Sequence, residues 1–211
     1  MPKSPHKKYT IIYADPPWSY NNKTIRGGAA NHYSTMSTKE ICALPIERIR
    51  ADNSALFLWS TQPNLPAALQ VVEAWGYRYV NVAFTWAKLT KGWRSRLWQL
   101  NPEKADSDCE SYQLGAVNSL FFMGTGFYTR GNPEICLLGL RGSMKPVDNS
   151  VRQLVVSPVT EHSEKPDKVR QSIEKLYGRQ QSIELFARKE FAGWDCWGAE
   201  CANVPDWAAD G

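Results

Sequence analysis

The sequence predicts an α/β fold in which helices cover both faces of a mostly parallel sheet. Several apolar runs have the length of strands and are hydrophobic throughout, which is typical of strands buried on both faces. Between residues 54 and 86, a strand, a helix and a second strand follow one another, as in the βαβ unit of parallel sheets. The length of 211 residues suits one α/β domain, so we expect residues 1–211 to form a single domain.

The strands are predicted from runs rich in β-branched and aromatic residues. The first run, residues 9–14, stops at two consecutive prolines, which cannot donate hydrogen bonds to a neighbouring strand and therefore mark its carboxyl end. The other runs are bounded by glycine or by polar residues. The predicted strands span residues 9–14, 54–59, 77–86, 134–140, 153–156 and 182–188.

Two helices are predicted in the first half of the chain. Ser37 and Glu40 form a capping box, in which each residue satisfies an unpaired backbone N–H of the first turn, so a short helix should span residues 38–44. The second helix should span residues 66–75, where apolar residues recur at helical spacing. Gly76 should end it, because glycine readily adopts the left-handed conformation of a helix C-terminus.

A third helix is predicted near the end of the chain. Pro166 should lie in its first turn and Gly178 should end it, with apolar residues on one face between them. By contrast, no regular structure is predicted for residues 88–126, which lack apolar periodicity. The aromatic residues 193–200 are likewise not assigned to a strand or helix.

The candidate catalytic residues are Asp15, Pro16, Pro17 and Trp18, directly after the first strand. In open α/β sheets, the carboxyl ends of the strands face the ligand crevice. The prolines should keep the carbonyls of Asp15 and Pro16 out of a helix and free to accept hydrogen bonds. A carboxylate, a fixed carbonyl and an indole suit a planar exocyclic amine, which they can bind while stacking on its ring. The alternative is an ordinary strand-to-loop turn with a surface tryptophan.

Two polar segments are predicted to lie on the substrate side of this site. Residues 19–33 are polar and rich in glycine, and they form either a loop that closes over the pocket or a plain connection. Residues 88–126 combine basic and aromatic side chains, which suits contact with nucleic acid but also occurs in solvated loops. The candidate substrate-binding residues in these segments are Tyr20, Tyr33, Lys88, Lys91, Arg94 and Arg96.

Composition narrows the class of protein further. The formal net charge of +4 permits a polyanionic partner without requiring one. Residues 1–8 form a short basic arm, and residues 202–211 are expected to be a tail. The five cysteines contain no Cys-x-x-Cys pair and the three histidines are dispersed, so no metal site is predicted. Since no apolar run resembles a membrane span or a signal peptide, we expect a cytoplasmic protein without membrane contact.

A series of short motifs, taken in order, resembles the family of adenine-N6 methyltransferases related to the catalytic subunit of the messenger-RNA adenosine methyltransferase. Each motif alone is weak, and their ordered succession over nearly the whole chain carries the resemblance. The sequence departs from relatives at Ala199, where asparagine is common, and at Pro133, where the eukaryotic enzyme has lysine. The motifs are residues 14–18, 33–37, 56–59, 75–77, 86–88, 134–139, 162–167, 183–188 and 194–198.

The resemblance implies a Rossmann-like fold that uses S-adenosylmethionine, with the motifs in permuted order. It implies that Asp15 and the Pro16 carbonyl hold the adenine amine, that Trp18 stacks on the flipped base and that Tyr33 lies in a closing loop. The residues that it places at the cofactor are Asp15, Ser163, Lys165, Pro166, Phe186, Ala187, Arg188, Gly198 and Glu200.

The function expected from the resemblance is transfer of a methyl group from S-adenosylmethionine to the N6 amine of adenine in DNA. Three alternatives stay open: the same reaction on RNA, methylation of cytosine N4, and a non-catalytic subunit that binds nucleic acid. The expected partner is DNA, with RNA as the alternative, and a homodimer or a partner subunit is compatible with the sequence.

Overall fold

The computed structural model describes residues 7–19, 35–99, 115, 117–126, 128–159 and 164–201. Its described residues include one seven-stranded sheet, whose strands are numbered here in chain order. Four of the strands lie within residues 9–141, and the other three lie within residues 154–197. The strands are β1 (Tyr9–Ala14), β2 (Arg50–Ser60), β3 (Arg78–Leu89), β4 (Glu134–Arg141), β5 (Leu154–Pro158), β6 (Ser182–Leu185) and β7 (Asp195–Trp197).

The strand order across the sheet is β5-β3-β4-β2-β1-β6-β7. Only β4 runs against the others, because it pairs antiparallel with both β2 and β3, whereas the remaining pairs are parallel. The carboxyl ends of six strands therefore share one edge of the sheet with the amino end of β4. This edge is where a ligand crevice is expected in an open α/β sheet.

The helices of the described residues that accompany the sheet include α1 (Thr38–Cys42), α2 (Leu65–Ala74), α3 (Trp93–Gln99) and α4 (Asp167–Tyr177). The predicted capping box at α1 is confirmed, since the Ser37 hydroxyl accepts from the Glu40 amide and the Glu40 carboxylate accepts from the Ser37 amide. The predicted stops after α2 and α4 are also confirmed, with Gly76 at φ 77° and Gly178 at φ 72°. None of the described helices is long and apolar enough to cross a membrane.

The core lies on both faces of the sheet, as the continuous apolar strands predicted. Alternate residues of β1 point to opposite sides: Ile12 packs in a cluster with α1 and α2, while Ile11 packs in a second cluster with α4. The second cluster contains tryptophans of β2 and β3, Trp59 and Trp86, whose rings meet edge to face at 6.5 Å. The α/β fold with a mostly parallel sheet covered by helices is therefore confirmed.

Several details differ from the sequence prediction. Residues 93–99 form helix α3, which lacks apolar periodicity because it lies on the surface and buries no face in the core. Strand β7 has only three residues and was too short to recognise. Strand β6 ends at Leu185 because Phe186 takes a left-handed conformation, and Pro166 precedes α4 as its N-cap.

Candidate active site

Asp15 stands at the carboxyl edge of the sheet, directly after β1. Its amide donates to the Leu185 carbonyl at the end of β6, 3.4 Å away, so the two neighbouring strands fix its backbone. Its side chain is 22% exposed, which leaves the carboxylate within reach of a ligand while most of it is buried. Asp15 Oδ2 lies 2.7 Å from Lys165 Nζ, whereas Oδ1 has no hydrogen-bond partner among the described residues.

Asp15 is the first of four charged side chains that form a row, with negative and positive charges alternating. Lys165, just before α4, pairs with Asp15 and also lies 3.1 Å from Glu134 Oε2. The other oxygen of Glu134 accepts from Lys88 near the end of β3. Lys165 and Glu134 are almost completely buried, which is tolerable only because each charge faces an opposite one.

The charges in this row shift one another's pKa values. Burial raises the pKa of Asp15 above its ordinary value, and the Lys165 ammonium opposes part of that shift. Burial also acts to raise the pKa of Glu134, but Lys165 and Lys88 outweigh it and hold the pKa below its usual value. Burial acts to lower the pKa of Lys165, but the two carboxylates outweigh it and raise the pKa. The two carboxylates therefore favour the charged form of Lys165.

The residues after Asp15 form a compact turn. The Pro16 carbonyl accepts from the Trp18 amide at 2.9 Å, and the Pro17 carbonyl accepts from the Met36 amide at 2.8 Å. The prediction that the Pro16 carbonyl is free is therefore wrong in part, since one of its two lone pairs is engaged. Trp18 is not a surface residue: it is 7% exposed and its indole N–H donates to the Trp59 carbonyl at 3.1 Å. Stacking of Trp18 on a base stays a prediction.

The second half of the predicted site lies beside the first, because β6 pairs with β1. Phe186 follows β6 at φ 61°, a conformation that costs a non-glycine residue roughly 1–3 kcal/mol and that occurs often at functional sites. Its ring meets Trp197 edge to face at 5.2 Å. The Ala187 amide donates to the Trp197 carbonyl at 3.1 Å, which draws the ends of β6 and β7 together.

This arrangement of motifs agrees with the comparison of the chain with protein families. The MT-A70 family matches residues 9–117 and 109–200, which together span most of the chain. The chain belongs to the MT-A70 family. This finding confirms the resemblance inferred from the ordered motifs, and it makes the protein a methyltransferase.

Individual relatives agree with the MT-A70 assignment. Type II methyltransferase M.MunI of Mycoplasma sp is 33% identical, over 98% of this chain and 82% of that protein. The N(6)-adenosine-methyltransferase MT-A70-like protein of Arabidopsis thaliana is 25% identical over 88% of this chain. The N(6)-adenosine-methyltransferase catalytic subunit METTL3 of Homo sapiens is 25% identical over 86% of it. This chain covers only 23% and 26% of those two proteins.

The other predicted site residues of this MT-A70 methyltransferase occupy three kinds of position. Lys88 belongs to the charged row, while Lys91, Arg94 and Arg96 are exposed on and before α3. Arg188 and Glu200 are exposed near the ends of β6 and β7. Three predicted residues lie outside the described part of the chain: Tyr20, Tyr33 and Ser163.

Glu134 is the site residue that the sequence analysis missed. It begins β4, and a parallel strand in its place would carry its first residue to the opposite edge of the sheet. Because β4 is antiparallel, Glu134 pairs with Trp86 in register and lies beside Lys165. The signal available in the sequence was an acidic residue at the start of an apolar strand, because a charge that is buried with such a strand requires a partner.

Gly198 allows the close approach of β7 to the turn after β6. A side-chain carbon at Gly198 would lie 2.6 Å from the Ala187 nitrogen and closer still to its carbonyl oxygen, which is backbone that cannot swing aside. Gly198→Ala should therefore lower the free energy of unfolding by about 1–3 kcal/mol. Thermal unfolding measures this change, and Gly92→Ala is the control, because its nearest neighbour, Ser95 Oγ, would be 3.7 Å away. Equal stability of the two variants would contradict the prediction.

Proposed function

We propose that this MT-A70 methyltransferase transfers the methyl group of S-adenosylmethionine to the N6 amine of adenine in DNA. The observation that carries the proposal is the Asp15 carboxylate, which is fixed by Lys165 on one oxygen and has its other oxygen without a partner among the described residues. An exocyclic amine offers two N–H donors, and a half-buried carboxylate oxygen is a strong acceptor for one of them.

The residues around the end of β6 fit S-adenosylmethionine. The left-handed Phe186 turns the chain out of the sheet next to Asp15, and its ring with that of Trp197 gives an aromatic wall for an adenine ring. The exposed carboxylate of Glu200 and the guanidinium of Arg188 have the chemistry to bind ribose hydroxyls and a carboxylate. When bound, the cofactor supplies a methyl group activated by a positively charged sulfur.

Asp15 and Pro16 would orient the adenine amine for direct transfer. The lone pair of this amine is delocalised into the ring, which makes the nitrogen a poor nucleophile. We infer that Asp15 Oδ1 accepts one N–H and that the second lone pair of the Pro16 carbonyl accepts the other. The nitrogen can then become pyramidal and direct its lone pair at the methyl group. Asp15 would stabilise the positive charge that develops on nitrogen, and the methylated nitrogen would then release one proton to solvent.

The choice of DNA is supported by sequence similarity. The type II methyltransferase is 33% identical to this chain, whereas the relatives named as adenosine methyltransferases in Arabidopsis thaliana and Homo sapiens are 25% identical. Methylation of adenosine in RNA is the second candidate, because those relatives are named N(6)-adenosine-methyltransferases and adenosine is the nucleoside found in RNA.

The direct test is incubation of the protein with methyl-labelled S-adenosylmethionine and either unmethylated DNA or unmethylated RNA, followed by digestion to nucleosides. We expect label in N6-methyldeoxyadenosine. Label only in N6-methyladenosine of RNA would establish the second candidate, and label in N4-methylcytosine would show a different target base. Absence of label from every nucleoside, together with absence of S-adenosylmethionine binding in calorimetry, would indicate a non-catalytic subunit.

We further propose that the surface of α3 contacts the DNA backbone. Lys91 and Arg94 are exposed there, and Trp98 is 88% exposed. The segment returns to the end of β3, where the Asn132 amide donates to the Lys88 carbonyl at 2.9 Å and its oxygen accepts from the Lys88 amide at 3.1 Å. Since Lys88 belongs to the charged row, this surface begins beside the candidate active site.

Replacing both Lys91 and Arg94 by glutamine should weaken DNA binding in a salt-dependent way. Each lost phosphate contact reduces the slope of log affinity against log salt by about one, so the double variant should lose about two. Fluorescence anisotropy with labelled duplex across a salt series measures the slope. The control replaces Lys145, which follows β4, and Lys175, which lies in the last turn of α4. Both lysines are at the opposite edge of the sheet. Equal slopes for both double variants would contradict the assignment.

A further inference from the structure

We propose that Lys165 is a positioning residue, which holds Asp15 Oδ2 so that Oδ1 faces the target amine as a charged acceptor. The inference rests on the proposed function, since it concerns how Asp15 is presented to adenine. It differs from the role that the resemblance implied for Lys165, which placed this residue at the cofactor.

The positions of four structural elements carry this inference. Asp15 follows β1, Lys165 precedes α4, Glu134 begins β4 and Lys88 lies near the end of β3. The Lys165 ammonium, which is 5% exposed, lies between the two carboxylates and 5.6 Å from the centre of the Trp59 ring. A cation enclosed in this way is largely shielded from the crevice, and the two carboxylates are its ion-pair partners among the described residues.

Lys88, at the far end of the row, also contributes to the position of Lys165. Because Lys88 binds Glu134, that carboxylate is restrained at both oxygens and cannot draw Lys165 away from Asp15 without losing a partner of its own. Lys165 is thus clamped between two fixed anions, and Asp15 Oδ2 is clamped by Lys165. Oδ1 is the Asp15 oxygen that has no hydrogen-bond partner among the described residues, so the row sets both the orientation and the charge of this acceptor.

Removal of Lys165 would change both properties. Asp15 and Glu134 would become neighbouring buried carboxylates without a shared cation, and like charges in one site favour protonation of one of them. The other charged or titratable groups that influence Asp15 are Arg188, which favours its ionised form, and Cys136 and Glu184. A protonated Asp15 donates a hydrogen bond where the amine requires an acceptor. Without Lys165, Asp15 would become protonated, and activity would be lost, at a higher pH than in the wild type.

The experiment measures kcat and KM for methyl transfer across a pH series, with cofactor affinity measured separately by calorimetry. For Lys165→Met we expect kcat at neutral pH to fall by about a hundredfold, as for removal of one oriented electrostatic partner, while cofactor affinity changes by less than about threefold. The acid limb of the profile should move to higher pH, so that part of the activity returns as the pH rises. Lys165→Arg, which keeps the cation, should recover much of kcat, and Lys175→Met, at an exposed lysine of α4, should match the wild type.

Glu134→Gln is a second variant, for which we expect the acid limb of the pH profile to shift in the opposite direction. It tests the proposal even if Lys165→Met does not fold. The Glu134 carboxylate raises the pKa of Asp15, so its neutralisation should move the acid limb to lower pH. A shift to higher pH, or none, would overturn the proposal.

The remaining outcomes separate the two claims. If the wild type methylates adenine but Lys165→Met loses cofactor affinity instead of shifting the acid limb, Lys165 is a cofactor ligand and the positioning role is wrong. If Lys165→Met lowers kcat equally at every pH, its role is structural only. If the wild type transfers no methyl group to adenine, the proposed function fails, and the positioning role fails with it.

Discussion

Asp15→Asn is expected to reduce methyl transfer to adenine by about 10²–10³-fold, the usual cost of removing one oriented electrostatic group from a transition state. Asp15 faces hydrogen-bond donors on two sides, the Lys165 ammonium that lies 2.7 Å from Oδ2 and, in the proposed complex, the adenine amine. A carboxylate can accept from both. An asparagine side chain has one acceptor oxygen, so its amide group must face one of the two donors.

The assay for Asp15→Asn is label incorporation into N6-methyldeoxyadenosine, with a thermal unfolding curve to establish that the variant is folded. Asp52→Asn is the matched control, because its side chain is fully exposed and pairs at 3.9 Å with Arg141 at the opposite edge of the sheet. The prediction fails if the folded Asp15→Asn enzyme retains the rate of the Asp52→Asn control.

The largest loss of stability is expected from Arg170→Met. The Arg170 guanidinium donates to both oxygens of Glu184 at 2.6 Å, and both side chains are more than nine-tenths buried. Removal of the arginine leaves a buried carboxylate without its counter-charge, which costs about 3–5 kcal/mol. For a chain of this size, that corresponds to a fall of roughly 6–20 °C in melting temperature.

The pH dependence separates lost charge compensation from lost packing. Burial already raises the pKa of Glu184 while Arg170 opposes the shift, so loss of Arg170 should raise it further. A carboxyl with a raised folded-state pKa favours the folded state at low pH and loses that advantage as pH rises. The destabilisation by Arg170→Met should therefore be largest near about pH 8 and shrink toward about pH 5. Combining it with Glu184→Gln should restore most of the stability at every pH, and failure to do so would indicate lost packing instead.

The strands and their burial were predictable because they depend on local composition. Residues 11–14 and 135–140 are apolar throughout, and such runs have few alternatives to a strand buried on both faces. The ends of helices α2 and α4 were equally local, since Gly76 and Gly178 provide the left-handed conformation required there. Helix α3 was missed because its residues, which face solvent, show no periodic contact with the core.

The site was predictable only in part, since its geometry depends on strand direction. The motif at Asp15 and the motif at Phe186 were recognised separately, but their contact follows from the pairing of β1 with β6, which no local pattern specifies. Glu134 lies in the site only because β4 runs against its neighbours. Trp18 was expected to be available to a base, yet its indole N–H is used to fix the turn to β2. These features depend on contacts between residues far apart in sequence.

The pairing of Asn132 with Lys88 affects how readily the segment between β3 and β4 can change in length and sequence. The two hydrogen bonds close the segment between β3 and β4 at its base, so the chain leaves and re-enters the sheet at adjacent points. Lengthening a loop whose ends are already joined costs little, about 0.6 kcal/mol for each doubling of its length. Exchange of that segment between homologous enzymes should therefore change the DNA contacts that we propose for α3 while Asp15 keeps its place.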